Sequence, residues 1–185
     1  MSKNILEAAR ELPADPRRRV FAEVPAETIE LIDSAARLGW IPMSESMKLT
    51  DTLYRTLGGP TYRHFFSALS DRILNYPLLQ SFFDGAVRLF GLTPPAMFKW
   101  STYAWEQAFR ESGRLVYRPV RETPHDGQVE MSLEDVHPLL MGDTFAESLA
   151  GTFEMFLRRV SRSGQVRMRP RERGVARLVY DVTWD

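Results

Sequence analysis

The chain has 185 residues, 44% hydrophobic and 26% charged, with 24 basic side chains balancing 24 acidic ones, which bounds it to one soluble domain with a sizeable core. No apolar run approaches the roughly 18 residues of a membrane span. The start lacks the apolar core of a secretion signal, and the absence of Cys removes disulfides, thiolate metal sites and Cys nucleophiles, so a cytoplasmic protein is expected.

Residues 1–19 read as a partly disordered lead-in, with a short helix through Ile5, Leu6, Ala8, Ala9 and Leu12 that Pro13 and Pro16 end. Val20 and Phe21 open the folded part as an extended segment, and residues 20–185 form a single domain. About five helices follow. Ala26 to Leu38 carries Ile29, Ile32 and Ala36 at helical spacing. Ser44 is placed to N-cap a helix with Met47, Leu53, Tyr54 and Leu57, which Gly58 and Gly59 end. Thr61 to Asn75 sets Tyr62, Phe65, Phe66, Leu69 and Ile73 on one stripe. Pro77 opens a helix through Phe90. The last runs from Thr93 as N-cap and Pro94 as first residue to Gly113 as stop.

After Gly113 the apolar period changes from helical to alternating. Arg114 to Val120 and Gln128 to Glu134 read as an antiparallel hairpin across the polar link ETPHDG, with Val129, Met131 and Leu133 inward. Thr144 to Val160 returns to helix and Gly164 ends it. Gln165 to Arg169 and Val175 to Trp184 are two further strands. In the last, Ala176, Leu178, Tyr180, Val182 and Trp184 share the inner face. The fold class is therefore α+β: an N-terminal helical part, then an antiparallel sheet in β-β-α-β-β order with helices on one face.

Over residues 20–184 this layout resembles the myxobacterial paralogous family of unknown function. The resemblance rests on VF at 20–21, LGG at 57–59, LFGLTPP at 89–95 and YDVTW at 180–184. More distantly, the element order resembles the superfamily of haem-nitric-oxide-binding domains, four-vinyl-reductase-type domains and Bet3-like tethering subunits, which implies fold and not function. Haem-binding members of that superfamily carry an axial His on the helix before the first strand and a Tyr-x-Ser-x-Arg motif on the second. Here the helix from Thr93 contains no His, and the second strand reads VEMSLEDVH, offering Glu130 and Glu134 where propionates would lie. No haem, and no other cofactor, is expected.

No nucleophile elbow, phosphate-binding loop or dinucleotide fingerprint occurs, so a non-enzymatic binding domain is expected. His64 lies off its helix stripe, His125 sits in a polar turn, and Glu134, Asp135 and His137 lack the converging geometry of a metal site. Glu106 and Glu111 fall at surface spacing. The segment from Thr93 to Gly113 is the best site candidate. Met97, Trp100, Tyr103, Trp105 and Phe109 cover more than the usual apolar third of a helix. Core packing, a protein partner or second copy, and an apolar small ligand would each account for that.

The second anomaly is charge. Residues 158–177 hold eight Arg against Glu172 alone, and Arg167, Arg169 and Arg177 take outward strand positions. Such a band could bind phosphate, RNA or an acidic partner, and anion or nucleic-acid binding through this face is the alternative function. Nucleic acid is disfavoured, because no exposed aromatics interleave with the Arg and the whole chain is neutral. A solvated face paired with Glu and Asp from the acidic remainder of the chain is expected ahead of either binding role.

Overall fold

The computed structural model describes the chain apart from residues 37–38, 77–79, 81–83, 86, 88–90, 124–125 and 161–162, and the side chain of Ala108. The helix expected from Pro77 to Phe90 lies largely outside the described residues, as does His125. The described helices are α1 (Ser2–Arg10), α2 (Ala14–Glu23), α3 (Ala26–Ser34), α4 (Met43–Leu57), α5 (Gly59–Leu74), α6 (Pro94–Ala108) and α7 (Asp143–Val160). The strands are β1 (Arg114–Glu122), β2 (Gly127–Glu134), β3 (Gly164–Met168) and β4 (Arg177–Trp184), with one 3-10 turn at Pro138–Leu140.

Proline punctuates the helical half. Pro13, Pro25 and Pro42 each occupy the N-cap of the next helix, with φ between −51° and −55°. This corrects two readings. Pro42, not Ser44, caps α4, and Val20 and Phe21 lie on a helix rather than in an extended segment. Residues 1–19 are helical over much of their length, and Ile5, Leu6 and Ala9 are buried in a core with Val20, Ile32, Leu49, Leu53, Tyr62 and Phe66. Their amphipathic spacing makes this burial possible.

The four strands form one antiparallel sheet in the order β1-β2-β4-β3. Cross-strand rows repeat the sequence alternation. Leu115, Leu133 and Leu178 align, as do Tyr117, Met131, Tyr180 and Met168. These side chains face α6 and α7 and make a second core with Phe98, Leu149, Phe153 and Phe156. Ala176 departs from the expected pattern: it lies before β4 and is exposed. Gly113 is not a helix stop either, because α6 ends at Ala108 with Phe109 as its C-cap. Gly113 instead takes φ 92° where β1 begins, and a Cβ there would lie 2.5 Å from the carbonyl oxygen of Glu134.

The two cores meet along α5 and α7. Ser70 and Thr152 share a hydrogen bond of 3.0 Å, Arg158 donates to Ser67 at 2.6 Å, and Arg159 donates to Asp71 at 2.7 Å. Arg63 pairs with Glu154 at 2.8 Å and donates to the Val166 carbonyl at 2.6 Å, tying α5 to β3 as well. The seam is polar because α5 spends its apolar stripe on the helical core and turns its opposite face to α7.

Candidate functional site

Thr93 caps α6 as expected, its hydroxyl accepting from the Ala96 amide at 3.4 Å. The helix then sends Met97, Phe98 and Trp105 into the sheet-side core. The Trp105 indole donates to the Gly113 carbonyl at 2.9 Å, stacks on Phe109 at 4.1 Å between centroids and meets Phe145 edge-on at 6.2 Å. Trp100 is half-buried and meets Phe156 at 6.4 Å. Tyr103 stands apart from the other four: it is 53% exposed on the outer face of α6. Four of the five expected residues therefore join the sheet-side core or pack against it, and the fifth does not.

The helical half reaches this region through α4, which touches the 3-10 turn and α7. Met43 and Met47 pack, half-buried, against the sheet-side core, as do Met141 and Phe145 around the start of α7. At this junction half-buried Met43 and Met47 of α4, Met141, Phe145 and Phe109 pack against the sheet-side core, and Phe109 and Phe145 contact Trp105. Thioethers adapt to irregular shapes, and rings supply flat apolar walls. Trp40, just before α4, lies at the outer edge of this region, with the Arg110 guanidinium 4.7 Å from its ring centre. Sequence reasoning missed Met43, Met47, Met141 and Phe145. Nothing in their local spacing distinguishes a core methionine from one at a junction.

The outer sheet face carries the arginines. Arg169 grips Asp181 with two hydrogen bonds of 2.9 and 2.6 Å and reaches Glu130 at 2.7 Å. Arg177 donates to the same Glu130 at 2.9 Å. From the other side, Arg118 pairs with Glu130 at 2.9 Å and also with Glu134, which Arg114 meets at 3.0 Å. Arg167 sits opposite Asp181 in the strand register. Two of the three arginines singled out from sequence are thus held by carboxylates, and Arg114 and Arg118 join them.

Hydrogen bonding to Arg169 lowers the Asp181 pKa, and Arg118 does the same for Glu134. Both carboxyls sit below their unfolded values, so this contribution to stability is complete above about pH 5 and is lost as pH falls through the folded values. Thermal melting between neutral and acid pH should show that loss, and Arg169→Gln should flatten it. Because these groups are partly exposed, the effect is modest and weakens with salt.

Other titratable groups offer less. His64 is exposed, and His137 is engaged through Nδ1, which accepts from the Leu139 amide at 3.2 Å. Among the described residues no group of three His, Asp or Glu side chains is placed to hold a metal, and no helix is long and apolar enough to cross a membrane. The residues present do not fit a haem bound as the superfamily resemblance implies. The helix before β1 has no His, and no described His enters the sheet-side core. The second strand carries no Tyr-x-Ser-x-Arg, and its Glu130 and Glu134 are held by the chain's own guanidinium groups on the outer sheet face.

No protein-family model matches the chain, and no curated protein sequence does. Solved structures do. The Fe(II) unliganded H-NOX protein from K. algicida aligns over 100% of this chain and 94% of its own, with a TM-score of 0.64 at 7% identity. An oxygen-binding H-NOX domain related to soluble guanylate cyclases aligns over 98% and 92%, with a TM-score of 0.60 at 14% identity. A structure from work on haem distortion in the H-NOX family aligns over the same shares with a TM-score of 0.61 at 14% identity. At such identities the likeness extends to architecture and not to chemistry. Six described helices ahead of an antiparallel sheet, with that near-complete overlap, give this chain the fold of the H-NOX domains.

Proposed function

We propose that the protein is a haem-free, non-enzymatic sensing domain that takes an apolar small ligand where its two halves meet. The observation that supports this best is the set of half-buried Met43, Met47, Met141, Phe109 and Phe145 packed against the sheet-side core, with Phe109 and Phe145 on buried Trp105. A junction of thioethers and rings can open around a flat or chain-like apolar molecule at little cost in polar desolvation. The fold is one whose solved examples include an oxygen-binding domain, which favours a sensing role. Membership of the myxobacterial paralogous family, resting on the motifs given above, and a cytoplasmic location are part of the same reading.

Native mass spectrometry of freshly purified protein tests it. A co-purified apolar molecule, depleted in Phe109→Ala while the melting temperature is largely kept, is the expected result. Titration with haem should give no Soret band saturating at one equivalent per chain. A ligand-free protein that binds no apolar fluorophore at this junction would sink the ligand reading, and a stoichiometric Soret band that shifts with carbon monoxide would sink the haem-free one. A second reading, a protein partner or second copy on α6, is favoured by exposed Leu92, Tyr103 and Trp40 beside that helix. The same spectra would show it as a dimer or a larger complex.

A further inference from the structure

The outer face of the sheet is layered by charge. Its carboxylates lie underneath: Glu130, Glu134 and Asp181 are 14%, 18% and 23% exposed. Its guanidinium groups lie on top: Arg114, Arg118, Arg169 and Arg177 are 64%, 45%, 43% and 34% exposed. A molecule approaching this face meets arginine first, even though each of these four side chains has an acidic partner. Arg167, outward in the same register row as Asp181, acts on that carboxylate through its charge but lies beyond ion-pair distance of the described acids. Five guanidinium groups therefore stand over three carboxylates, and the face keeps an excess of positive charge.

We propose that this arginine layer is a docking face for an acidic protein segment. The carboxylates beneath orient the guanidinium forks, so less side-chain entropy is lost when a second set of carboxylates arrives from outside. Donors remain for that purpose. Arg114 uses only one terminal nitrogen on Glu134, Arg177 only one on Glu130, and Arg167 none on a described acid. The face is a four-stranded surface roughly 15 Å across, wide enough for an extended chain to lie over several arginines. Its other outward residues are Val116, Gln128, Ser132, Gln165, Val179, Thr183 and Arg121, the last paired with Asp126, so it offers no ring on which a nucleic-acid base could stack. The proposal is independent of the junction described above, which lies on the opposite side of the sheet.

The test uses a fluorescein-labelled oligoglutamate peptide and anisotropy at low and at physiological ionic strength, with oligothymidylate of equal length as competitor. The double variant Arg114→Glu, Arg167→Glu removes the two most available arginines and leaves the links of Arg118, Arg169 and Arg177 to Glu130 and Asp181 in place. Its melting curve controls for folding, and Arg114→Lys with Arg167→Lys controls for charge. We expect wild-type binding that weakens with salt, a loss of about tenfold or more in the Glu variant, and binding largely restored by Lys. No peptide binding at low ionic strength, or equal binding by the Glu variant, overturns the proposal. Preference for oligothymidylate overturns it in favour of nucleic acid. Salt-dependent self-association abolished by the Glu variant overturns it in favour of a second copy.

Discussion

Replacing Gly151 by Val is expected to destabilise the protein by about 3 kcal/mol or more, and even Ala should cost stability. Helix propensity alone points the other way, since Gly in a helix interior is roughly 1 kcal/mol worse than Ala. The structure reverses that sign. Gly151 faces α5 at the point of closest approach, where an added Cβ would lie 2.3 Å from the Arg63 carbonyl oxygen and 3.2 Å from the Ser67 amide nitrogen. Both are backbone atoms and have no rotamer into which to retreat. Relief requires α5 and α7 to separate, which strains Ser70–Thr152, Arg158–Ser67 and the Arg63 links together. Gly142 is the control. It has open space around its Cβ position, so Gly142→Ala should shift the urea midpoint little. Equal, small shifts for Gly151→Ala and Gly142→Ala would show that the two halves are not joined by this contact.

Trp184→Ala should cost about 3–5 kcal/mol, the range for emptying a large buried aromatic site. Trp184 is 3% exposed and donates to the Thr123 carbonyl at 3.2 Å. Its cross-strand neighbours are Gly127 on β2 and Gly164 on β3. Gly127 leaves room for the indole, since a Cβ there would lie 2.3 Å from its ring, whereas a Cβ on Gly164 would instead meet Leu157 at 2.4 Å and the Thr183 carbonyl at 2.6 Å. Gly127→Ala should therefore be destabilising by itself, and less so in the Trp184→Ala background. Part of the penalty remains there, because the Arg121 carbonyl lies 2.7 Å from the same Cβ position. Urea unfolding of the two single variants and the double variant gives the coupling. Strict additivity would mean that Gly127 flanks the indole without serving it.

Alternation told the faces of the sheet before any coordinates. Val129, Met131, Leu133, Leu178, Tyr180 and Val182 are all inside, and Arg167, Arg169 and Arg177 are all outside, because a period of two leaves each side chain only one choice of face once one is buried. The helical period carried similar information for α5 and α6. Tyr103 and Trp105 nevertheless read as one apolar set in the sequence, although two residues of helical spacing put them on nearly opposite faces, and the structure exposes the first and buries the second.

Tertiary structure alone decided the partners. Glu130 collects Arg118 from β1, Arg169 from just beyond β3 and Arg177 from β4, up to 59 residues apart in sequence, and charge totals over a segment cannot show which carboxylate lies under which guanidinium. The isolated reading of residues 158–177 saw an excess of Arg; the sheet supplied the acids from β2 and β4. The same holds for Gly151, which reads as an ordinary flaw in a helix until α5 is laid against it. It holds too for Met43 and Met47, whose spacing marks them as apolar but not as the side chains by which the helical half touches the other core. Local sequence fixes secondary structure and facing through backbone geometry. Contact across layers depends on how the layers dock, and that is set by packing among residues far apart in the chain.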